Sequence, residues 1–253
     1  MLERYAPNYV NMHAYTNASC RGDGIRMATE AVDAAVQGNT ATGMLGPDVH
    51  VGFWSDLGAY FPGWDSSVIP VNENGERFVY DGQGYGVYDS FDAVCLQPNA
   101  TTYAIFDAEN PAVAKVEGST MEVVKGSIFQ ADTLEALAEA AGIDAALAST
   151  IEAYNAAFGA GEDDPGFGVP NGSMNPAKTA PFYAVRLQPY AFGATVGLAA
   201  DENCQVVNSA GDVVPNLYAT GEMCFTGSDI TFLGCAFITG RTAGEHAKAA
   251  VQG

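Results

Sequence analysis

Apolar positions along the chain fall into short runs of two periods, and each run predicts one element. Behind Cys20-Arg21-Gly22-Asp23-Gly24, the stretch Ile25-Arg26-Met27-Ala28-Thr29-Glu30-Ala31-Val32 has helical spacing, with Asp23 as the expected N-cap. Val68-Ile69-Pro70-Val71-Asn72-Glu73 and Glu76-Arg77-Phe78-Val79-Tyr80 flank Asn74-Gly75, which predicts a hairpin because Asn-Gly tolerates the positive φ that a tight turn needs. Asp132-Thr133-Leu134-Glu135 fits a capping box that opens a helix ending near Gly142. A second helix from about Asp144 sets Leu147, Ile151, Tyr154 and Phe158 on one stripe, the spacing of a core-facing surface. Residues 159–181 are rich in Gly, Pro, Asp and Asn and predict a loop.

The last third returns to β patterning. Residues 182–187 read as a strand, and Cys204-Gln205-Val206-Val207-Asn208 and Val213-Val214 flank a turn over Ser209-Ala210-Gly211-Asp212. Leu217-Tyr218-Ala219-Thr220 predicts a short buried strand that ends in Gly221-Glu222. A final helix starts around Gly234-Cys235-Ala236 and carries Phe237, Ile238, Arg241, Ala243 and Ala247. Gly82, Gly84 and Gly86 form GxGxG, not the GxGxxG of a dinucleotide loop, and no βαβ pattern surrounds them.

Composition narrows the function classes. Thirty acidic and 10 basic residues give a net charge of −20, which repels phosphate backbones and anionic lipid and so argues against nucleic-acid or membrane-surface partners. The same acidity serves solubility. An apolar content of 48% with 16% charged residues, over 253 residues, suits a chain with a sizeable core. Five cysteines without CxxC spacing and three histidines without ligand spacing lead us to expect no metal site. No run of eighteen apolar residues is present and no secretion signal opens the sequence, so membrane insertion is not expected; the chain as encoded reads as cytoplasmic, while a full-length relative could be exported.

Four stretches, in order, resemble the fumarate reductase/succinate dehydrogenase flavoprotein superfamily of FAD-dependent oxidoreductases. They are Gly22-Asp23-Gly24-Ile25-Arg26-Met27-Ala28, Val71-Asn72-Glu73-Asn74-Gly75-Glu76-Arg77-Phe78-Val79, Pro181-Phe182-Tyr183-Ala184-Val185, and Pro215-Asn216-Leu217-Tyr218-Ala219-Thr220-Gly221-Glu222 followed by Gly240-Arg241-Thr242-Ala243-Gly244-Glu245. The resemblance implies an α/β fold with an α+β capping domain. It also implies an incomplete doubly wound FAD-binding domain that lacks its N-terminal βαβ unit. The expected division is 1–42 for the end of the first FAD-domain half, 43–188 for the cap and 189–253 for the C-terminal FAD-domain segment. FAD is the implied cofactor, held only if the N-terminal half is supplied, which could come from a separate polypeptide.

The resemblance assigns cofactor roles to Gly221, Glu222, Gly234, Cys235 and Ala236. A strand ending in Gly-Glu brings a carboxylate to a sheet edge where ribose or ribitol hydroxyls bind, and a glycine-started helix aims its amides at the electron-rich edge of a flavin. The cationic substrate contacts of the family are absent from the matching stretches. Tyr85 falls at or beside the proton-donor arginine, Phe192 to Gly197 replace a His-containing segment, Phe232 stands for an arginine, and Met44 or Leu45 stand for a histidine, with His50 a few residues late. A buried dicarboxylate would lack partners. Tyr85, Tyr88, Tyr190, Phe192 and Phe232 would line a more aromatic cavity, with Tyr85 or Tyr88 as the proton donor. Phe192, Thr195, Thr231 and Phe232 are the expected substrate contacts.

Three readings follow. The first is an enzyme that reduces or oxidises a C–C double bond of an apolar or aromatic small molecule, working only if an N-terminal FAD-binding half comes from another polypeptide. The second is a truncated or split, non-catalytic remnant that does not bind FAD alone. The third is a binding module that reuses the cap's aromatic cleft.

Overall fold

The computed structural model describes residues 2–14, 20–46, 67–80, 87–118, 126–194, 196–224 and 232–252. They divide into two compact units, one of Met1–Val10, Thr16–Thr42 and Ala191–Gly253, the other of Asn11–Tyr15 and Gly43–Tyr190. The elements in chain order are α1 (Leu2–Tyr5), β1 (His13–Ala14), α2 (Asp23–Val32), β2 (Val36–Gln37), β3 (Ala41–Gly46), β4 (Ile69–Asn72) and α3 (Val87–Cys95). There follow β5 (Thr102–Asp107), α4 (Ala112–Glu117), β6 (Ile128–Ala131), α5 (Leu134–Ala141), α6 (Ala146–Ala160) and β7 (Phe182–Ala194). The chain ends with β8 (Gly197–Leu198), β9 (Gln205–Val207), β10 (Val213–Tyr218) and α7 (Phe232–Gln252).

The second unit is built on a six-stranded sheet of order β1-β7-β5-β4, with β3 and β6 also pairing to β7. Strand β5 is antiparallel to both neighbours: Ile69, Val71 and Asn72 of β4 lie opposite Ile105, Tyr103 and Thr102, and Phe182 to Leu187 run opposite Asp107 to Thr102. This register puts Ile69, Val71, Tyr103, Ile105, Phe182 and Ala184 on one face, because alternate residues of a strand share a side. Helices α5 and α6 cover that face with Leu134, Leu137, Ala138, Ala141, Leu147, Ile151 and Tyr154, all buried. Phe106 and Tyr183 stack on the opposite face, ring centroids 5.3 Å apart.

Local chemistry explains the helix ends and corrects two expectations. Helix α5 is capped by Thr133, whose Oγ1 accepts from Ala136 N at 3.1 Å, so the cap lies one residue later than the Asp132/Glu135 box and is not reciprocal. Gly142 closes the helix in the left-handed region at φ 72°. Asp144 Oδ1 accepts from Ala146 N at 2.9 Å and starts α6, whose stripe of Leu147, Ile151 and Tyr154 is buried as its period predicts. Likewise α2 opens one residue earlier than expected. Gly22 (φ 70°) is its N-cap without a side-chain bond, and Asp23 is helical and pairs with Arg26 at 3.0 Å.

The Asn-Gly turn is present, but its second arm does not form a strand. Beyond a single bridge between Val71 and Arg77, β4 pairs with β5. The reason lies in Asn72: its Oδ1 accepts from Asn74 N and Glu76 N, and its N–H donates to Glu76 O at 2.9 Å, so the turn satisfies itself. Arg77 then leaves the ladder and turns inward.

Unit one, by itself, has a small core of Ile25, Ala28, Ala34, Leu198, Val206, Ala219 and Cys224. Its described sheets are two antiparallel pairs, β2 with β8 and β9 with β10. Strand β10 corrects a further expectation: Leu217 and Tyr218 are only half-buried, and the strand has one partner. Its register jumps from Val213 opposite Val207 to Tyr218 opposite Gln205, so Pro215, Asn216 and Leu217 bulge out, with Asn216 left-handed at φ 63°. The motif Pro-Asn-Leu-Tyr-Ala thus spells a bulge: proline needs no ladder donor, and asparagine tolerates the left-handed region. Strand β7 also exceeds the expected 182–187 and runs to Ala194.

Candidate cofactor-facing site

The described part of the site is the short 3-10 turn Gly221–Met223 packed beside the start of α7. Gly221 is left-handed at φ 61°, and a Cβ placed there would be 3.7 Å from the Ala236 Cβ, an ordinary contact; the glycine is required by backbone angle, not by space. Its N–H donates to Thr239 Oγ1 at 2.8 Å. Its carbonyl accepts from Cys224 N at 3.1 Å and from Cys235 Sγ at 3.6 Å. Glu222 follows on the exposed side of the turn. A hydroxyl-rich ligand at this point would meet a carboxylate on a fixed peptide, beside a helix start whose amides favour negative charge.

Of the expected cofactor residues, the structure brings Gly221, Glu222, Cys235 and Ala236 together. Helix α7 spans Phe232–Gln252, so Gly234 and Cys235 lie inside its opening turns and not ahead of them. Cys235 is buried and faces the Gly221 carbonyl. Two further thiols surround this turn. Burial pushes the Cys224 thiol up to about 11, with Cys204 and Cys235 adding to the shift, and burial with Asp201 and Cys235 raises Cys204. These thiols are therefore protonated, small and apolar in behaviour, and they serve packing more than nucleophilic chemistry. Thr239 was not read from the sequence as a site residue. The available signal was its position four residues after Cys235, one helical turn along the same face.

Several expected site residues fall where no side chain is described. Tyr85, Thr195 and Thr231 lie outside the described residues, as does His50. Tyr88 belongs to α3, Phe192 to β7 and Phe232 to the first position of α7, and in each the side chain lies outside the description. Tyr190 is buried and packs on His13, ring centroids 5.5 Å apart, so it belongs to the interior of the second unit.

The motif arginine of the second unit is also committed. Arg77 Nη1 meets Asp164 Oδ1 at 2.5 Å, with side chains 6% and 3% exposed. Its guanidinium sits 4.7 Å from the Tyr154 ring centroid and 5.1 Å from that of Phe167. Asp164 Oδ2 also accepts from Phe167 N at 2.7 Å. Burial alone would raise this carboxyl, but the Arg77 hydrogen bond, the Phe167 and Gly166 amides and the Arg77 charge outweigh it and hold it below the usual carboxylate range. A guanidinium so engaged is a scaffold group, not a spare cation for substrate. Among the described residues, no helix is long and apolar enough to cross a membrane.

The family model described as FAD binding domain matches residues 1–237. The chain is 35% identical over 187 residues to NADH:acrylate oxidoreductase of Vibrio harveyi, covering 70% of this chain and 18% of that protein. It is 29% identical over 256 residues to digoxin reductase of Eggerthella lenta, covering 90% of this chain and 44% of that protein. It thus spans less than half the length of these relatives. Among solved structures, 3-ketosteroid delta1-dehydrogenase from Sterolibacterium denitrificans has a TM-score of 0.71 at 22% identity, covering 98% of this chain and 50% of that one, which shows a shared mixed α/β fold. The chain belongs to the FAD binding domain family, among the fumarate reductase-like flavoprotein oxidoreductases whose cofactor is FAD.

Proposed function

We propose that this chain is the cap and C-terminal FAD-domain portion of an oxidoreductase that reduces or oxidises a C–C double bond of an apolar or aromatic molecule lacking two carboxylates. The observation that carries the reading is the clamped turn Gly221–Met223, which presents Glu222 beside the α7 start. The groups present fit FAD: a carboxylate suits its hydroxyls, and opening-turn amides around Gly234 suit its anionic edge. Bound FAD would supply hydride chemistry at the substrate double bond. Glu222 accepts hydrogen bonds from cofactor hydroxyls, and Tyr85 or Tyr88 gives a proton to the substrate carbon. Phe192, Thr195, Thr231 and Phe232 contact the substrate in this reading.

The substrate class rests on what the chain lacks at the matching positions and on Arg77 being held by Asp164. The named substrates of the two relatives, acrylate and digoxin, are also not dicarboxylates. Fumarate should therefore fail to reoxidise the reduced protein, and rapid turnover with fumarate would sink the substrate reading.

A second reading is favoured by α7, where Leu233, Phe237 and Ile238 are 68%, 71% and 56% exposed. Such a face suits a truncated or split, non-catalytic flavoprotein remnant that does not bind FAD alone. Visible absorbance of the purified chain, with and without added FAD and with a dinucleotide-binding polypeptide co-expressed, separates the two. Flavin bands in the chain alone or on co-expression support the first; a chain that stays colourless in every arm supports the second.

A further inference from the structure

Gly221 is gripped from one side. Its N–H bonds to Thr239 Oγ1 at 2.8 Å, and its carbonyl is reached by Cys235 Sγ at 3.6 Å. The Thr239 hydroxyl donates to Cys235 O at 2.6 Å, which commits its proton to the helix and leaves an oxygen lone pair for Gly221. Threonine, not valine, is needed for this double duty, although both have the same shape. Thr239 is 8% exposed, so the hydroxyl is not there for solvent. Cys235 and Thr239 stand one helical turn apart, so a single stripe of α7 fixes the peptides on both sides of the Gly221 Cα. The second of those peptides leads directly into Glu222.

We propose that Thr239 and Cys235 are positioning residues for FAD: acting through Gly221, they set where the Glu222 carboxylate stands. This rests on the reading of Glu222 as the partner of cofactor hydroxyls. It moves Cys235 from a direct cofactor contact to a support and adds Thr239, which no motif pointed to. An exposed glutamate on a free glycine hinge would lose much of its affinity to ordering; one on a clamped hinge is pre-set.

The test uses Thr239→Val, Thr239→Ser, Glu222→Ala and the double variant Glu222→Ala/Thr239→Val, in the chain complexed with a dinucleotide-binding half and in the chain alone. In the complex, FAD affinity is read by flavin fluorescence. Glu222→Ala should weaken FAD by roughly tenfold or more, the loss of one charged hydrogen bond. Thr239→Val should do nearly the same, Thr239→Ser should restore binding, and the double variant should be no weaker than Glu222→Ala. In the chain alone, hydrogen exchange of the 221–223 amides should quicken in Thr239→Val while those of β5 stay unchanged.

The outcomes separate the two ideas. If Glu222→Ala weakens FAD but folded Thr239→Val binds normally, or if the two losses add fully, the positioning role is overturned and the Glu222 reading stands. Unchanged exchange at 221–223 overturns the clamp whatever happens with flavin. If Glu222→Ala has no effect, or the wild-type complex takes up no FAD, the Glu222 reading fails and the inference with it.

Discussion

In the second unit, Leu134, Leu137, Leu147 and Ile151 of two short helices are all buried on the β4-β5-β7 face, whereas in the first unit α7 leaves Leu233, Phe237 and Ile238 on open surface. Both regions are rich in apolar residues, so composition does not distinguish them. What differs is closure. The second unit's helices arrive in sequence next to strands that need covering, and short loops bring them onto the sheet. Among the described residues, the first unit carries two-stranded ladders over a small core of its own. A local core closes most fully when its complement lies nearby in the chain, as it does in the second unit.

The sharpest way to break this comparison is at Arg77. Arg77→Met leaves Asp164 as an uncompensated buried charge and should cost about 3–5 kcal/mol of unfolding free energy, read by urea denaturation. Nearly as large is Leu147→Ala, about 2–5 kcal/mol by the same measurement, because Leu147 is fully buried between helix and sheet. Gly75→Ala should cost about 1–3 kcal/mol: Gly75 has φ 71°, and an added Cβ would come within 2.5 Å of Leu147 N.

Acid should also separate the units. The lowered Asp164 carboxyl contributes stability that is fully present above the ordinary carboxylate value of about 3.9 and is lost as pH falls through its own lowered value. Thermal melts from pH 5 downward should show this acid limb, and Asp164→Asn should flatten it. At the other extreme, Phe237→Ser should change stability by no more than about 0.5 kcal/mol while reducing self-association in light scattering. A loss as large as that of Leu147→Ala would show that the first unit does close over α7.

Sequence patterning read the helices of the second unit well because their signals are local. The stripe Leu147, Ile151, Tyr154 and the stop at Gly142 depend only on spacing and backbone freedom. The second arm of the Asn74-Gly75 turn was misread, since β propensity at Phe78 and Val79 gave no sign that Asn72 would close the turn alone and that Arg77 would seek Asp164, 87 residues further on by sequence. The burial expected for Leu217 and Tyr218 failed for a different reason: an apolar run signals a buried strand when it is covered on both sides, and among the described residues β10 pairs with β9 alone. Gly221, Glu222, Cys235 and Ala236 were singled out through their resemblance to a family pattern; the structure sets them side by side, and their cofactor role is the proposal made above. Thr239 was not singled out, because its role depends on which carbonyl and which amide meet across two elements, and spacing alone cannot convey that.

The Asn72 turn has a consequence for the outer rim of the second unit's sheet. Strand β4 ends the order β1-β7-β5-β4, and in an antiparallel ladder residues two apart point their amides the same way. The Asn72 N–H points to Glu76 and away from β5, so the donor that should join it on that rim belongs to residue 70. Residue 70 is Pro70, which has no N–H to offer. Of the two β4 donors that face outward, one is absent and the other is occupied, so among the described residues an extended peptide or a second copy of the chain finds no β4 amides there to pair with. The second unit can bury a strongly apolar sheet without offering these donors as a template for fibre-like stacking.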